Sequence, residues 1–187
     1  MDKKVLILNS ALELFVKQDV DKTSTASIAK NAGVSNGTLF HYFPTKNELI
    51  IELYLRLKKE MFEFIYSEQV NNEKNLKNKI KKGWTNAVEW ICTNSKKHNY
   101  IHKIYKSNYN QLIHEDRLPD MYLQYLNMID EAIKKKELIE IPLELMVSLI
   151  NAQVSSLAEY YIKSNIENKA QLTDSVFQMT WNSIKYK

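Results

Sequence analysis

The chain has few of the residues that interrupt regular structure, with only three glycines and three prolines among 187 residues. An all-β fold needs a turn about every 8–12 residues and draws mainly on Gly and Pro to make it. Their scarcity therefore argues against a many-stranded fold. Apolar residues instead recur three and four positions apart along most of the chain, which is the spacing of one helix face. We expect an all-α fold of about nine helices.

Cysteine and long apolar runs are equally scarce. Cys92 is the only cysteine, which excludes an internal disulfide and a metal site built from several cysteines. No stretch approaches the ~18 uncharged apolar residues that a membrane-spanning helix needs. The apolar run after the lysines at positions 3 and 4 is interrupted by Asn9, Ser10 and Glu13, before it reaches the length of a signal-peptide core. We therefore expect a cytoplasmic protein without a membrane span.

The charge balance is only weakly informative. The net charge is +4 and the isoelectric point is about 8.9, which permits binding to nucleic acid without requiring it. Residues 1–46 carry six lysines against four acidic residues, so the positive charge is not concentrated in one region. A case for nucleic-acid binding must therefore rest on a motif.

Helix boundaries follow from apolar spacing and from residues that cap helices. Ser24 or Thr25, Ser35 or Asn36, and Thr45 are placed to cap the second, third and fourth helices. The predicted helices cover about 3–18, 25–31, 36–43, 45–66, 74–95, 98–112, 118–136, 142–164 and 170–186. The expected buried stripe of the long fourth helix consists of Leu49, Leu53, Leu57, Met61 and Phe64.

The segment Thr25–Phe43 has the pattern of a helix-turn-helix. Ala29 is small at the point where the two helices would cross, so they can approach closely. Gly33 permits the turn, because glycine adopts the left-handed conformation that often ends a helix. Val34 and Leu39 are placed to fill the space between the helices. The outward residues of the third helix would then be free to enter a major groove.

Over about residues 5–50 the sequence resembles the TetR family of transcription regulators. One departure is Phe40, where the family usually has tyrosine, so a hydroxyl that would reach a phosphate or a base is missing. The residues that fit the family pattern are Ile28, Ala29, Ala32, Gly33, Val34, Ser35, Gly37, Thr38, Leu39, Tyr42, Phe43, Lys46 and Leu49.

The resemblance implies a role for each residue of the motif. Thr25 and Ala26 would lie at the DNA backbone, and Tyr42 and Lys46 would contact phosphates. A cation at the start of the fourth helix suits a phosphate, because the free N–H groups there already attract an anion. The predicted DNA-binding residues are Thr25, Ala26, Ser35, Asn36, Gly37, Thr38, Phe40, His41, Tyr42 and Lys46, with Asn36, Thr38 and His41 as the candidates for contacts with bases.

The resemblance also implies a division of the chain. Residues 1–46 would form a three-helix DNA-binding domain, joined by the long fourth helix to a ligand-binding and dimerisation domain in residues 47–187. In the family such helices often enclose a hydrophobic small molecule, although the same aromatic and Met stripes are equally typical of a filled core. The predicted ligand-binding residues are Trp84, Tyr105, Tyr109, Met121, Tyr125 and Met128.

The last two helices are predicted to form the interface of a homodimer. Pairing them with those of a second copy would give a four-helix bundle. The alternative is that they close the core of a single chain. The predicted interface residues are Leu149, Ala152, Gln153, Ser156, Leu157, Tyr160, Phe177, Trp181 and Ile184.

Two further features invite a functional interpretation. His98 and His102 are four apart, a spacing that can bind a metal, but no third ligand is evident, so exposed histidines are the simpler interpretation. Cys92 lies in an apolar helical pattern, where cysteine usually serves packing and not redox sensing. We therefore expect no metal and no cofactor.

Three functions remain for comparison. The first is a repressor that binds near-palindromic double-stranded DNA as a dimer and is released by a hydrophobic small molecule. The second is an all-helical enzyme, but no nucleophile–base pair, carboxylate pair or phosphate loop is recognisable, so we expect no enzyme. The third is a helix-turn-helix regulator without a small-molecule effector, controlled by a protein partner or by its own abundance.

Overall fold

The computed structural model describes residues 2–164, 166 and 168–187, and this part of the chain is almost entirely helical. Within it, an isolated antiparallel bridge between Leu138 and Lys185 is the one extended pairing. The prediction of an all-α fold is confirmed. The α-helices are α1 Lys3–Lys17, α2 Thr25–Asn31, α3 Asn36–Tyr42, α4 Lys46–Ile65, α5 Glu68–Asn71, α6 Leu76–Thr93, α7 Ser95–Tyr105, α8 Asp120–Lys134, α9 Leu143–Lys163 and α10 Lys169–Ile184, with 3-10 turns at Asn108–Leu112 and Glu115–Arg117.

Short polar side chains start the helices of the motif, as their positions predict. Ser24, Ser35 and Thr45 each precede a helix, and each side-chain oxygen accepts a 3.1 Å hydrogen bond from the backbone N–H three residues later. Such a bond satisfies one of the N–H groups that a helix start leaves unpaired. Of the two candidates for each cap, Ser24 and not Thr25 caps α2, and Ser35 and not Asn36 caps α3.

The described residues form two compact units, each built from two stretches of chain. The first contains the residues up to Lys58 together with Lys96–Leu118, and the second contains Lys59–Ser95 and Pro119–Lys187. The boundary predicted at residue 46 divides the chain by function and stays a prediction. Packing divides it elsewhere, because the first part of α4 shares a core with α1 and α7.

The core of the first unit joins α1, α4 and α7. The ring of Phe15 stacks on the ring of Tyr100, with centroids 5.8 Å apart. The Tyr100 hydroxyl donates a 2.9 Å hydrogen bond to the backbone oxygen of Ile50. All three residues are buried, and burial raises the pKa of Tyr100 well above its usual value. The phenol therefore stays a donor at neutral pH.

The second unit buries a cluster of aromatic rings. Phe62 of α4 and Tyr66, the residue after that helix, stack with centroids 5.9 Å apart, and Tyr125 of α8 lies 5.5 Å from Tyr66. Gly83 of α6 leaves room for this cluster, because a Cβ there would lie only 3.3 Å from the Tyr66 ring. The ring of Trp84 meets Phe177 of α10 edge-on at 5.9 Å. Burial raises the pKa of both Tyr66 and Tyr125.

Two local predictions were wrong, and one short helix was missed. The predicted helix 98–112 ends at Tyr105, because Ser107 is extended and its side chain caps a separate 3-10 turn through the N–H of Tyr109. The short helix α5 was not predicted at all. Phe64 is exposed, because the end of α4 buries its neighbours Phe62 and Ile65 instead. Among the described helices, none combines the length and the apolar character needed to cross a membrane.

Candidate DNA-binding surface

The two helices of the motif are locked to each other by small and apolar residues. Ile28, Ala29 and Leu39 are buried between them. Gly33 has φ +67°, the left-handed conformation expected for the turn, and the N–H of Val34 closes the turn on the backbone oxygen of Ala29 at 3.0 Å. This geometry fixes the orientation of α3, as the sequence predicts.

α1 holds this pair of helices in place through a buried hydroxyl. Ser10 donates a 2.9 Å hydrogen bond to the backbone oxygen of Ile28 and accepts one of 3.0 Å from the side-chain amide of Asn31. The hydrogen bonds spare Ser10 the cost of burying an unpaired hydroxyl. They also set the position of α2, and hence of α3, relative to α1.

The outer face of α3 presents the predicted base-contacting residues to solvent. Asn36, Gly37 and His41 are exposed. Phe40 is 45% exposed, an unusually open position for an apolar ring. Thr38 is half-buried, and its hydroxyl lies 3.0 Å from the hydroxyl of Ser35, so these two groups are already engaged with each other. Of the three candidates for contacts with bases, Asn36 and His41 are therefore the most accessible.

Aromatic and cationic side chains flank this face. Tyr42 is exposed at the end of α3, and its ring meets that of His41 edge-on at 5.4 Å. Lys46 is the first residue of α4, and its ammonium donates a 3.0 Å hydrogen bond to the backbone oxygen of Asp21. Thr25 and Ala26 begin α2, with Ala26 exposed and Thr25 half-buried. The ten predicted DNA-binding residues thus lie on α2, on α3 with its cap Ser35, and at the start of α4.

The loop between α1 and α2 is held by side chains from a distant stretch of the chain, which sequence analysis missed. The hydroxyl of Tyr109 donates a 2.6 Å hydrogen bond to a carboxylate oxygen of Asp21. Two residues earlier, Asp19 accepts a 2.8 Å bond from the ammonium of Lys103, which lowers the pKa of that carboxyl. The partners are 88 and 84 positions apart, beyond the reach of any local sequence pattern.

A second set of charges joins the same stretch to the start of α4. The guanidinium of Arg117 lies 3.4 Å from the carboxylate of Glu48 and 3.5 Å from that of Glu52. Glu52 also accepts a 2.7 Å bond from the ammonium of Lys4 in α1. These pairs are partly exposed, so each contributes little by itself, but together they fix α1, α4 and Arg117 in one network.

The predicted ligand-binding residues are divided between the units. Tyr105 and Tyr109 lie in the first unit, where Tyr105 is 49% exposed and Tyr109 bonds to Asp21. The other four, Trp84, Met121, Tyr125 and Met128, lie in the second unit. Trp84 is only 3% exposed, and among the described residues its buried indole N–H is the one buried side-chain group without a hydrogen-bond partner.

The predicted interface residues of α9 and α10 face in two directions. Leu149, Ala152, Ser156 and Tyr160 form an exposed stripe on α9, while Gln153 and Trp181 are half-buried. Leu157, Phe177 and Ile184 are buried inside the second unit. For these three the prediction is corrected, because they fill the core of their own chain. Met179, 70% exposed on α10, was not predicted.

The two minor candidates are the pair His98 and His102, and Cys92. The rings of His98 and His102 stack 6.0 Å apart, and the described residues contain no group of three or more side chains that could hold a metal. The thiol of Cys92 lies 3.8 Å from the backbone oxygen of Ala158, and burial raises its pKa. A raised pKa reduces the thiolate fraction that redox chemistry needs.

The N-terminal part of the sequence is similar to known bacterial regulators. The family model described as "Bacterial regulatory proteins, tetR family" matches residues 7–53. The fatty acid metabolism regulator protein of Bacillus subtilis (strain 168) is 30% identical over 80 residues, which are 42% of this chain and 40% of that protein. AcrR of Shigella flexneri is 44% identical over 48 residues, 26% of this chain and 22% of that regulator. The matches thus span less than half of these relatives.

Solved structures extend the similarity over the whole chain. A protein assigned to the tetR family of transcription regulators from Shewanella sp. PV-4 is 30% identical, with a TM-score of 0.88 and coverage of 100% of both chains. FadR from Bacillus subtilis in complex with stearoyl-CoA has a TM-score of 0.69 at 19% identity, covering 96% of this chain and 98% of that one. The second similarity concerns the fold alone.

The fold and the exposed face of α3 define a helix-turn-helix protein. The family model covers that motif, and the Shewanella protein matches along the full length. The chain belongs to the TetR family of bacterial regulatory proteins and is a transcriptional regulator of that family.

Proposed function

We propose that this regulator acts in the cytoplasm as a homodimer that binds a near-palindromic operator, with α3 of each copy in the major groove. The observation that carries the proposal is the exposed polar face of α3, which is followed after a short turn by Lys46 at the start of α4. Candidate groups for base and phosphate contacts are thus close together in the chain, as suits a groove-binding helix. The proposed activity is binding and not catalysis.

Five of the predicted DNA-binding residues then take a role. Asn36 and His41 donate or accept hydrogen bonds at base edges, and Phe40 suits apolar contact with a thymine methyl group. Lys46 has three N–H donors, so it can hold a phosphate while it keeps its bond to Asp21. Tyr42 donates to a second phosphate. Phosphate contacts would fix the register and base contacts the preferred sequence.

Dimerisation is supported by apolar side chains that the single chain leaves in water. Leu145, Leu149 and Tyr160 on α9 are each close to half exposed, and Met179 on α10 is exposed further. Between them on α9 lie Ala152 and Ser156, whose small side chains allow close approach of another helix. A symmetric contact through this surface would bury these groups and bring two copies of α3 to one DNA molecule.

We further propose that a hydrophobic small molecule binds the second unit and lowers operator affinity. The support is the buried indole N–H of Trp84, which lacks an acceptor among the described residues. A buried donor without a partner is costly, so an oxygen of a ligand would relieve it. The stearoyl-CoA bound to FadR from Bacillus subtilis suggests an amphipathic class, with a long apolar part and carbonyl oxygens.

A regulator without a small-molecule effector is the second candidate. The observation that favours it is the close packing of aromatic rings in the second unit, where Phe62, Tyr66 and Tyr125 lie 5.5–5.9 Å from one another. Such distances are those of a filled aromatic core. Binding of acyl-CoA by the purified protein, with a 1:1 stoichiometry per chain, would distinguish the first candidate from the second.

DNA binding is tested by selecting bound fragments from double-stranded DNA with a randomised core. We expect enrichment of a near-palindrome whose half-sites lie about one helical turn or a small multiple apart. Sedimentation of the free protein at micromolar concentration should give twice the chain mass. Enrichment of no sequence, together with binding no tighter than that of scrambled DNA, would refute the proposal.

A further inference from the structure

Asp21, in the loop between α1 and α2, is bonded on both sides. Its carboxylate accepts the hydrogen bond of the Tyr109 hydroxyl, and its backbone oxygen accepts that of the Lys46 ammonium. Tyr109 and Lys46 are thus joined through one residue. Lys46 is the proposed phosphate contact, whereas Tyr109 lies in the 3-10 turn Asn108–Leu112, 63 positions away in the sequence of 187 residues.

We propose that Tyr109 is a positioning residue for DNA binding: by holding Asp21, it fixes the backbone oxygen that orients the Lys46 ammonium towards the DNA. This inference rests on the proposed function, since it assumes that Lys46 contacts a phosphate. It assigns Tyr109 to the DNA-binding machinery and not to a ligand pocket.

The loop around Asp21 is well suited to transmit such an effect. The carbonyl of Asp19 accepts bonds from the N–H groups of Lys22 and Thr23, both at 3.1 Å, so the loop is a closed turn. Thr23 adds a side-chain bond of 2.9 Å to the same carbonyl and is buried. Because these bonds constrain the turn, a side chain that holds Asp21 also limits where its carbonyl points. The ion pair of Asp19 with Lys103 holds the other end.

The hydroxyl of Tyr109 is in the right protonation state for this task. Burial and, next, the hydrogen bond to Asp21 raise the pKa of Tyr109 to about 12. The phenol therefore keeps its proton at neutral pH and donates to the carboxylate. A bond from a neutral donor to an ionised acceptor is stronger than one between neutral groups.

Direct contact of Asp21 with DNA would be unfavourable, which gives the arrangement a second use. The carboxylates of Asp19 and Asp21 lie beside a lysine meant for a phosphate. Lys103 neutralises the first, and Tyr109 turns the second into a hydrogen-bond acceptor within the protein. Loss of the Tyr109 hydroxyl would free the Asp21 side chain near the DNA backbone as well as loosen Lys46.

The test is a double-mutant cycle on DNA affinity. Tyr109→Phe removes only the hydroxyl, and we expect it to weaken binding roughly 3- to 10-fold on operator and scrambled DNA alike, the size of one hydrogen bond. In the Lys46→Ala background the same change should have a clearly smaller effect, because the group that it positions is gone. Tyr186→Phe, which removes an exposed phenol hydroxyl near the chain end, should bind as the wild type does.

Two affinity results would overturn the inference: no loss of affinity in Tyr109→Phe, or the same loss with and without Lys46. Hydrogen exchange is the second measurement, and the Lys22 and Thr23 amides should exchange faster in folded Tyr109→Phe; unchanged exchange would also overturn it. If Tyr109 had a merely structural role, Tyr109→Phe would lower the unfolding temperature in both backgrounds. It would also weaken DNA binding by the same factor with and without Lys46. If the wild type itself binds no DNA, the proposed function fails instead, so the two failures are distinguishable.

Discussion

The hydroxyl of Tyr100 lies 2.9 Å from the backbone oxygen of Ile50, so α7 is bonded to the middle of α4 inside the core of the first unit. α4 begins at the proposed phosphate contact Lys46. The packing that supports the motif therefore includes a helix more than fifty positions along the chain from it, and is not confined to the first three helices. The stability of the first unit should depend on this bond.

Tyr100→Phe tests that dependence. The change keeps the stack on Phe15 and removes the hydrogen bond to Ile50, so we expect the free energy of unfolding to fall by about 1 kcal/mol. Urea unfolding followed by circular dichroism measures it. Tyr186→Phe is the matched control, because that ring is exposed, and it should change the free energy by less than about 0.5 kcal/mol. Equal stability of the two variants would show that the bond to Ile50 contributes nothing.

Lys46→Ala should weaken binding to every DNA sequence. The lost ammonium contacts a phosphate and not a base, so the slope of log affinity against log salt should fall by about 0.9 per subunit. Titrations at several salt concentrations, on operator and scrambled DNA, give both quantities. Lys59→Ala removes an exposed lysine from the same helix, one that pairs with Glu63, and serves as the control. An unchanged slope in Lys46→Ala would remove this residue from the interface.

Asn36→Ala should change which bases the protein prefers, and it should leave the affinity for DNA of any other sequence unchanged. Asn36 is exposed on α3 and its amide can bond two positions of an adenine, a contact whose loss costs about 1–3 kcal/mol. Repeating the selection from randomised DNA with the variant should relax the preference at one position of each half-site. Binding to scrambled DNA should stay as in the wild type. If the selected sequence is identical for both proteins, Asn36 does not contact a base.

Leu149→Glu should separate the dimer. The side chain is close to half exposed on the α9 stripe, and in the proposed contact it would be buried, where an unpaired carboxylate is strongly unfavourable. Sedimentation should show the mass of one chain, and operator affinity should fall with it. Leu112→Glu places the same charge at an exposed leucine of the first unit and should remain dimeric. A dimeric Leu149→Glu would place the interface elsewhere.

Local sequence patterns predict the structure correctly where the determining interaction is local. Ser24, Ser35 and Thr45 cap helices through a residue three positions away, and Gly33 adopts a conformation that other residues avoid. These features fixed the motif and the all-helical fold. The family resemblance added the candidate DNA-binding residues, whose contacts remain predictions.

Local sequence patterns do not predict contacts whose partner is remote in the sequence. The predicted ligand residue Tyr109 bonds to Asp21, 88 positions away, and no periodicity reports such a pair. Phe177 shows the other limit, because an apolar stripe identifies the side chains that avoid water but not what covers them. The core of its own chain covers it, whereas Leu149 on the neighbouring helix α9 is left in water.

If an effector binds near Trp84, the contribution of the indole N–H group can be measured separately from that of an aromatic ring at this position. Trp84→Phe keeps an apolar ring beside Phe177 and removes the unpaired donor, so the variant should fold at least as well as the wild type. Its affinity for stearoyl-CoA, measured by calorimetry, should nevertheless fall roughly 3- to 10-fold if that donor bonds an oxygen of the ligand.

In the wild type, operator DNA should weaken stearoyl-CoA binding by the same factor by which stearoyl-CoA weakens operator binding, about 5- to 150-fold for a typical allosteric coupling. A ligand can shift the protein only by binding one arrangement more tightly than the other, so equal affinity with and without operator would disprove the coupling even where binding is real. Equal affinity of wild type and Trp84→Phe would instead leave the coupling intact and remove Trp84 as the donor.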